Sequence, residues 1–192
     1  MPASRSAQDG LVLDAANDES VQSGIAHIHR THGRLDGLVV AAAPSARTLD
    51  PSRNADPRQM QQAFDEKVLT FLRAANAALP IMQGERFGRI VGISGQNAFL
   101  TGNVTGSIRN AALIIAAKNL ADSLAGSGVT VNTVSPGEVV EHPRQTIEPG
   151  TSGQCRPDDV ARLVAFLLSP LSETISGESI AVGHRVRGFV NL

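Results

Sequence analysis

The sequence predicts an α/β fold in which helices flank a parallel sheet. Two observations carry the prediction. Short apolar runs without alternation, the pattern of strands covered on both faces, recur along the chain. Segments with apolar residues at helical spacing separate these runs, from residue 11 to residue 182. Because no repeat or change of composition divides the chain, we predict one domain over residues 1–192, built from βαβ units.

The composition suits a globular protein and excludes several classes of partner. Hydrophobic residues make up 42% of the 192 residues and the formal net charge is −1, so no basic surface for nucleic acid is indicated. No apolar run reaches the roughly 18 residues that cross a bilayer, and residues 1–10 lack the apolar core of a secretory signal. We therefore expect a cytoplasmic protein without a nucleic-acid or membrane partner, with residues 1–10 disordered.

The elements alternate in a regular order. The predicted strands cover residues 11–15, 38–43, 89–93, 129–134 and 180–182, and the predicted helices cover residues 18–32, 57–83, 104–125 and 157–168.

In the first half, residues 11–15 (LVLDA) form a short apolar run. Asn17 or Asp18 caps the first helix, and apolar residues follow at helical spacing. Residues 38–43 (LVVAAA) form a second run without alternation. A loop rich in Pro, Ser, Asp and Arg leads to Pro57, a residue suited to the first turn of a helix, after Asp56 as its cap.

In the second half, residues 89–93 (RIVGI) form the third strand. A turn rich in Gly, Ser and Asn leads into the helix at 104–125, which Gly126 and Gly128 end. Residues 129–134 (VTVNTV) form the fourth strand, and residues 135–156 are predicted as a loop over a substrate site. Two aspartates favour the start of the last helix, and the fifth strand closes the pattern.

Several stretches resemble the short-chain dehydrogenase/reductase family. The most specific is NAALIIAAKNLADSLAGSGVTVNTVSPG (110–137), which is similar to the family's catalytic helix, sixth strand and Pro-Gly turn. GRIVGISG (88–95) resembles its fifth strand and the turn with the catalytic serine. Residues 156–170 and 175–182 resemble its last helix and strand. The resemblance covers about 180 residues and implies a Rossmann-like sheet.

The resemblance also implies an N-terminal truncation. The family begins with two further strands and a TGxxxGxG turn, whose backbone N–H groups hold the cofactor diphosphate at a helix N-terminus. This sequence starts about two strands later. We therefore predict a sheet in which residues 11–15 pair with residues 38–43, so that the order is 3-4-5-6-7 in the family's numbering. This arrangement places the first three helices on one face and the helix at 157–168 on the other.

The catalytic positions of the family are replaced. The family uses a tyrosine, a lysine, a serine and an asparagine, and alignment places Gly106, Asn110, Gly95 and Lys67 there. The sequence contains no tyrosine. Lys67 and Arg109 are candidate substitutes, since a cationic pair in the family's cleft would bind an anion or polarise a carbonyl. The alternative is that Lys67 is solvated and Arg109 lies on a helix surface.

The family's cofactor is NAD or NADP, and here the missing turn removes its main anchor. Positions similar to the family's cofactor-binding residues are Asp14, Ala41, Ala42, Ser135, Pro136, Gly137 and Val139. No metal site is expected, because neighbouring histidines such as His27 and His29 point to different sides of a helix. The helices at 57–83 and 104–125 resemble those that join subunits in the family, so a homo-oligomer is expected.

Three functional hypotheses follow. The first is an NAD(P)-dependent oxidoreductase by descent that acts on a small carbonyl or alcohol. The second, favoured by the replaced catalytic residues, is an inactive pseudoenzyme that works through oligomerisation or partner binding. The third is that the reading frame starts late and the natural product carries the missing strands.

Overall fold

A parallel sheet forms the centre of the molecule. The computed structural model describes residues 10–44 and 48–188. Its main sheet has four strands in the order β1-β2-β3-β6, namely β1 (Gly37–Val40), β2 (Gly88–Ile93), β3 (Val129–Pro136) and β6 (Ser179–Val182). All three pairings are parallel. The predicted α/β fold with a parallel sheet is therefore confirmed.

Helices cover both faces of this sheet. They are α1 (Asp18–His32), α2 (Pro57–Phe64), α3 (Thr70–Glu85), α4 (Val104–Ser123) and α5 (Pro157–Leu168). The larger core cluster joins α1, α3 and α4 to one face, where Ile90 and Val131 are fully buried. On the other face, Val91 and Val134 pack with Leu167 of α5. The predicted division of the helices between the two faces is therefore confirmed.

Side-chain caps fix where the helices begin. The Asn17 Oδ1 atom accepts a hydrogen bond from the Ser20 N–H at 2.9 Å, and Asp56 accepts one from the Arg58 N–H at 2.8 Å. Asn103 caps α4 in the same way through the Gly106 N–H, also at 2.8 Å. Each cap satisfies a backbone donor that the first helical turn leaves free.

The predicted strand at 11–15 is wrong, and with it the five-stranded order. Residues 11–15 form no ladder, and among the described residues β1 is the edge strand on that side. The segment folds against α1 instead: the Asp14 N–H donates to Ser20 Oγ at 2.9 Å, and the Asn17 N–H donates to the Asp14 carbonyl. Leu13 packs against the core beside Gly24. Local bonds to the helix start thus replace strand pairing.

Three other boundaries differ from the predictions. The predicted helix at 57–83 consists of α2 and α3 joined by a π-helical turn, Asp65–Leu69. The predicted strand at 38–43 ends at Val40, so its last residues lie beyond the sheet edge. The predicted loop at 135–156 contains two short parallel strands, β4 (Glu138–Val139) and β5 (Gln154–Cys155).

Within residues 10–44 and 48–188, no helix is long and apolar enough to span a bilayer. The same residues contain no group of three His, Cys, Asp or Glu side chains that could hold a metal ion. The prediction of disorder for residues 1–10 falls, except for Gly10, outside the described residues.

Candidate functional site

A cleft of about 530 Å³ lies at the carboxyl ends of β1, β2 and β3. Ligands of open parallel sheets bind at this edge, because the loops that follow the strands converge there. The lining side chains come from the segments after β1, β2 and β3, from the π-helical turn and from α4. They include Ala41, Pro44, Lys67, Ser94, Gly95, Gln96, Arg109, Asn110, Pro136, Gly137, Glu138 and Val139.

Lys67 occupies the middle of the π-helical turn and is almost completely buried, with 8% of its surface exposed. Its Nζ atom donates a hydrogen bond to the Ser94 carbonyl oxygen at 3.1 Å. Burial, together with the smaller effect of the charge of Arg109, lowers the pKa of Lys67 from 10.5 to about 7. Since π turns occur often at functional sites, this lysine has the placement of a functional side chain.

Arg109 lies on α4 and is 3% exposed. Its Nη2 atom donates to the Pro44 carbonyl oxygen at 3.2 Å. Its Nε and Nη1 atoms are buried and have no hydrogen-bond partner among the described residues. Burial lowers the pKa of Arg109, and the charge of Glu66 opposes this effect. The cation therefore stays charged while much of its donor capacity is unused.

The floor of the cleft is the turn after β2. The Ser94 hydroxyl donates to the Asn110 carbonyl oxygen at 3.0 Å, which ties this turn to α4. The Gln96 side chain is 2% exposed, and its Nε2 atom donates to the His184 carbonyl oxygen at 2.8 Å. The Oε1 atom of Gln96 and the Oδ1 atom of Asn110 are buried without a partner in the described part of the chain. The walls of the cleft therefore contain both hydrogen-bond donors and hydrogen-bond acceptors that have no partner among the described residues.

Gly106, which aligns with the family's tyrosine, does not line the cleft. A Cβ atom at this position would lie 2.8 Å from the Asn103 amide nitrogen, and Asn103 is the cap that holds the Gly106 N–H. A larger side chain would push this cap aside. The glycine is therefore explained by the start of α4.

The other predicted positions divide between cleft and surroundings. Lys67, Gly95, Arg109 and Asn110 line the cleft together, as do Ala41, Pro136, Gly137 and Val139. Ala42, Asp14 and Ser135 do not. Asp14 belongs to the turn before α1, where its carboxylate accepts from the Ala16 N–H. The Ser135 hydroxyl is buried and bonded to the Ser179 hydroxyl at 2.9 Å.

The described residues fit only part of a nicotinamide dinucleotide. The segment after Pro136 gives the cleft a wall, held by hydrogen bonds from the Gly137 N–H to the Val182 carbonyl and from the Glu138 N–H to the Gly153 carbonyl. No glycine-rich turn between a strand and a helix lies beside β1 in the described residues. The first turn of α1 carries Asp18 and Glu19, which repel a diphosphate. The cleft has room for the nicotinamide end, and the described residues supply no cradle for the diphosphate.

Gln96 is the site residue that the sequence analysis missed. The available signal was a polar residue in the turn that follows a buried strand, because the carboxyl ends of parallel strands form the ligand edge. The family's catalytic serine aligns with Gly95, the residue before Gln96, so the resemblance predicts a role for position 95 and none for Gln96. The burial of Gln96 depends on the His184 carbonyl, 88 residues away in the sequence, so only the fold brings the two together.

Comparisons with known proteins agree with this architecture. A family model described as "Enoyl-(Acyl carrier protein) reductase" matches residues 2–184. The 3-oxoacyl-[acyl-carrier-protein] reductase of Aquifex aeolicus is 36% identical, over 90% of this chain and 74% of that protein. The corresponding reductase of Vibrio cholerae is 28% identical, over 90% of this chain and 75% of that protein.

Solved structures show the same fold at lower identity. The NADPH-dependent reductase YwfH, involved in bacilysin biosynthesis, has a TM-score of 0.73 at 24% identity and covers 94% of this chain and 78% of its own. A short-chain dehydrogenase/reductase from Mycobacterium ulcerans has a TM-score of 0.75 at 24% identity, over 91% and 70% of the two chains. With the family match over residues 2–184, these findings show that the chain belongs to the short-chain dehydrogenase/reductase family of oxidoreductases, which typically use NAD(P).

Proposed function

We propose that this protein is an oxidoreductase that interconverts a small carbonyl compound and its alcohol, with Lys67 as the proton-transfer group. The observation that carries the proposal is the placement of Lys67: a buried amine on the wall of the cleft, with a pKa of about 7. General acids work best when their pKa lies near the working pH, because both protonation states are then accessible. An ordinary exposed lysine does not meet this condition.

Lys67 accounts for the proton in both directions of the reaction. In reduction, the carbonyl carbon gains a hydride and the carbonyl oxygen gains a proton from the Lys67 ammonium, which becomes a neutral amine and takes up a proton from water. In oxidation, the neutral amine accepts the alcohol proton. A nicotinamide dinucleotide, when bound along this edge of the sheet, supplies or takes up the hydride.

The surrounding residues support the same role. The hydrogen bond from Lys67 to the Ser94 carbonyl holds the amine next to the turn where the family carries its serine. Arg109 keeps a second positive charge on the same wall, which stabilises negative charge that develops on a carbonyl oxygen. Lys67 thus replaces the missing phenol as a proton donor, and Arg109 supplies electrostatic stabilisation.

The test is the pH dependence of turnover. Reduction of methyl pyruvate by NADPH or NADH is followed through the absorbance of the reduced nicotinamide from pH 5.5 to 9. We expect kcat/KM for reduction to fall as the pH rises through about 7, because the ammonium form of Lys67 is lost, and the reverse oxidation to rise over the same range.

Matched variants separate this proposal from the inactive alternative. Lys67→Met should lower kcat/KM at least about 100-fold, the lower end of the usual contribution of a general acid, and remove the inflection near pH 7. Lys118→Met, at an exposed lysine paired with Asp122, should leave the profile unchanged. No turnover with either nucleotide would instead favour a protein that acts through binding alone. An unchanged inflection in Lys67→Met would assign the inflection to another group and contradict the role of Lys67.

A further inference from the structure

We infer that the cleft selects a substrate with a carboxylate beside its reacting carbonyl or hydroxyl group, that is, a 2-oxo acid or 2-hydroxy acid held by Arg109. This inference rests on the proposed function, because it assigns Arg109 to the anionic part of the substrate that Lys67 protonates. The evidence for it is an excess of buried positive charge on the walls of the cleft.

Two buried cations lie on the same side of the cleft without a bonded carboxylate. Each has only a neutral backbone carbonyl as its hydrogen-bond acceptor among the described residues: Ser94 for Lys67 and Pro44 for Arg109. Neither takes part in any ion pair within the described part of the chain. Burial of uncompensated charge is costly, and an anion relieves both the desolvation and the mutual repulsion of the cations.

The acidic residues nearby do not fill this role. Glu66, whose charge acts on Arg109, accepts a hydrogen bond from the Gln62 amide. Glu138 is the carboxylate among the described residues that line the cleft, but it is exposed and accepts a hydrogen bond from Gln154 at 2.7 Å. The positive side of the cleft therefore remains available for a ligand.

The donor geometry favours a carboxylate over a neutral polar group. A planar carboxylate accepts two parallel hydrogen bonds from a guanidinium, either from Nε and Nη2 or from Nη1 and Nη2. In Arg109 both Nε and Nη1 are unpartnered, and Nη2 has a second hydrogen besides the one it gives to Pro44, so one such pair is available. Nε and Nη1 are both covered in the ligand-free chain, so Arg109 must turn toward the cleft when the anion binds. Its single bond to the Pro44 carbonyl is the contact that this movement changes.

Two acceptors in the cleft complement the reacting group. The unpartnered Oε1 atom of Gln96 and Oδ1 atom of Asn110 are acceptors, which suit the hydroxyl hydrogen of a 2-hydroxy acid. Because Lys67 and Arg109 lie close enough for their charges to interact, one small molecule can place its carbonyl oxygen at Lys67 and its carboxylate at Arg109. A 2-oxo acid carries these two groups on adjacent carbon atoms.

The experiment compares two unreactive probes that differ mainly in charge. Titration calorimetry at pH 7, without nicotinamide nucleotide and in a buffer free of phosphate and sulfate, measures the binding of oxamate and of neutral oxamide. We expect oxamate to bind at least about tenfold more tightly, as for hydrogen bonds to charged groups. Arg109→Met should remove this preference, and Arg109→Lys should retain part of it. Arg162→Met, at an exposed arginine paired with Asp159, is the matched control.

The outcomes distinguish this inference from the proposed function. Equal affinities for oxamate and oxamide, or an oxamate preference that survives in Arg109→Met, would overturn the inference. Turnover of methyl pyruvate with the expected pH profile would in that case leave the proposed function standing. Selective oxamate binding together with a pH profile that does not depend on Lys67 would support the anion site and contradict the role of Lys67 in proton transfer.

Discussion

At the scale of single residues, the buried amine of Lys67 lowers the stability of the folded chain. Its pKa is lowered from 10.5 to about 7 in the folded chain. Between these values the unfolded chain holds a proton that the folded chain has released, so the free energy of unfolding rises with pH over this window. Below about pH 7 both states are protonated, and the full cost of burying the ammonium remains, of order 5 kcal/mol.

The prediction is that Lys67→Met is more stable than the wild type at pH 7, by a few kcal/mol. The difference should shrink as the pH rises toward 10, because the wild type gains stability there and the variant does not. Urea unfolding at pH 6 to 10 measures both proteins, with Lys118→Met as the control for loss of an exposed lysine. Parallel stability curves for the wild type and Lys67→Met would contradict this account.

The residues that line the cleft were predicted from the sequence better than the contacts that surround them. The family alignment brought Lys67, Gly95, Arg109 and Asn110 to attention, and all four line one cleft. The burial of Lys67 and the unused donors of Arg109 were not predictable, because they depend on contacts with Ser94 and Pro44. Local sequence patterns contain no information about such long-range packing.

At the scale of elements, the segment before α1 shows how local bonds replace a predicted strand. Residues 11–15 have the apolar composition of a strand, yet their polar groups bond to the first turn of α1. The sequence did predict this helix and its cap, since α1 begins directly after Asn17. The strand prediction failed because apolar composition does not specify a pairing partner.

The contribution of the Asn17 cap to the stability of α1 can be tested by mutation. Asn17→Ala removes the acceptor for the Ser20 N–H at the start of α1, so we expect a loss of about 1 kcal/mol in the free energy of unfolding. Gln22→Ala, at an exposed position of the same helix, should be neutral because alanine favours helices. Equal stability of the two variants in urea unfolding would show that the cap contributes nothing.

At the scale of the whole molecule, α4 presents apolar side chains to solvent. Ile108 and Ile115 are 43% and 61% exposed and lie seven residues apart, on one side of the helix. The resemblance of this helix and the helix at 57–83 to the helices that join subunits in the family predicts a homo-oligomer, and we propose that a second copy of the chain covers this side of α4. Burial of large apolar side chains is a common basis for subunit contact.

We therefore expect Ile115→Asp to weaken self-association at least about tenfold, because a carboxylate at the centre of an apolar contact is costly. Sedimentation velocity over a range of protein concentrations measures the effect. The control is Leu171→Asp, at a residue 81% exposed in the turn after α5, on the other side of the sheet. A chain that stays monomeric at all concentrations, or equal loss of association in both variants, would rule out the α4 contact.

The π-helical turn at Asp65–Leu69 has a consequence for how this family can diversify. Such a turn accommodates one more residue than a regular helical turn, and each residue of an α-helix advances by about 100°. Loss of a single codon here would restore unbroken helical winding and swing the amine of residue 67 away from the Ser94 carbonyl. The side chain that reaches the Ser94 carbonyl is therefore set by the number of residues in this turn, and an insertion or deletion there can change it while the sheet stays intact.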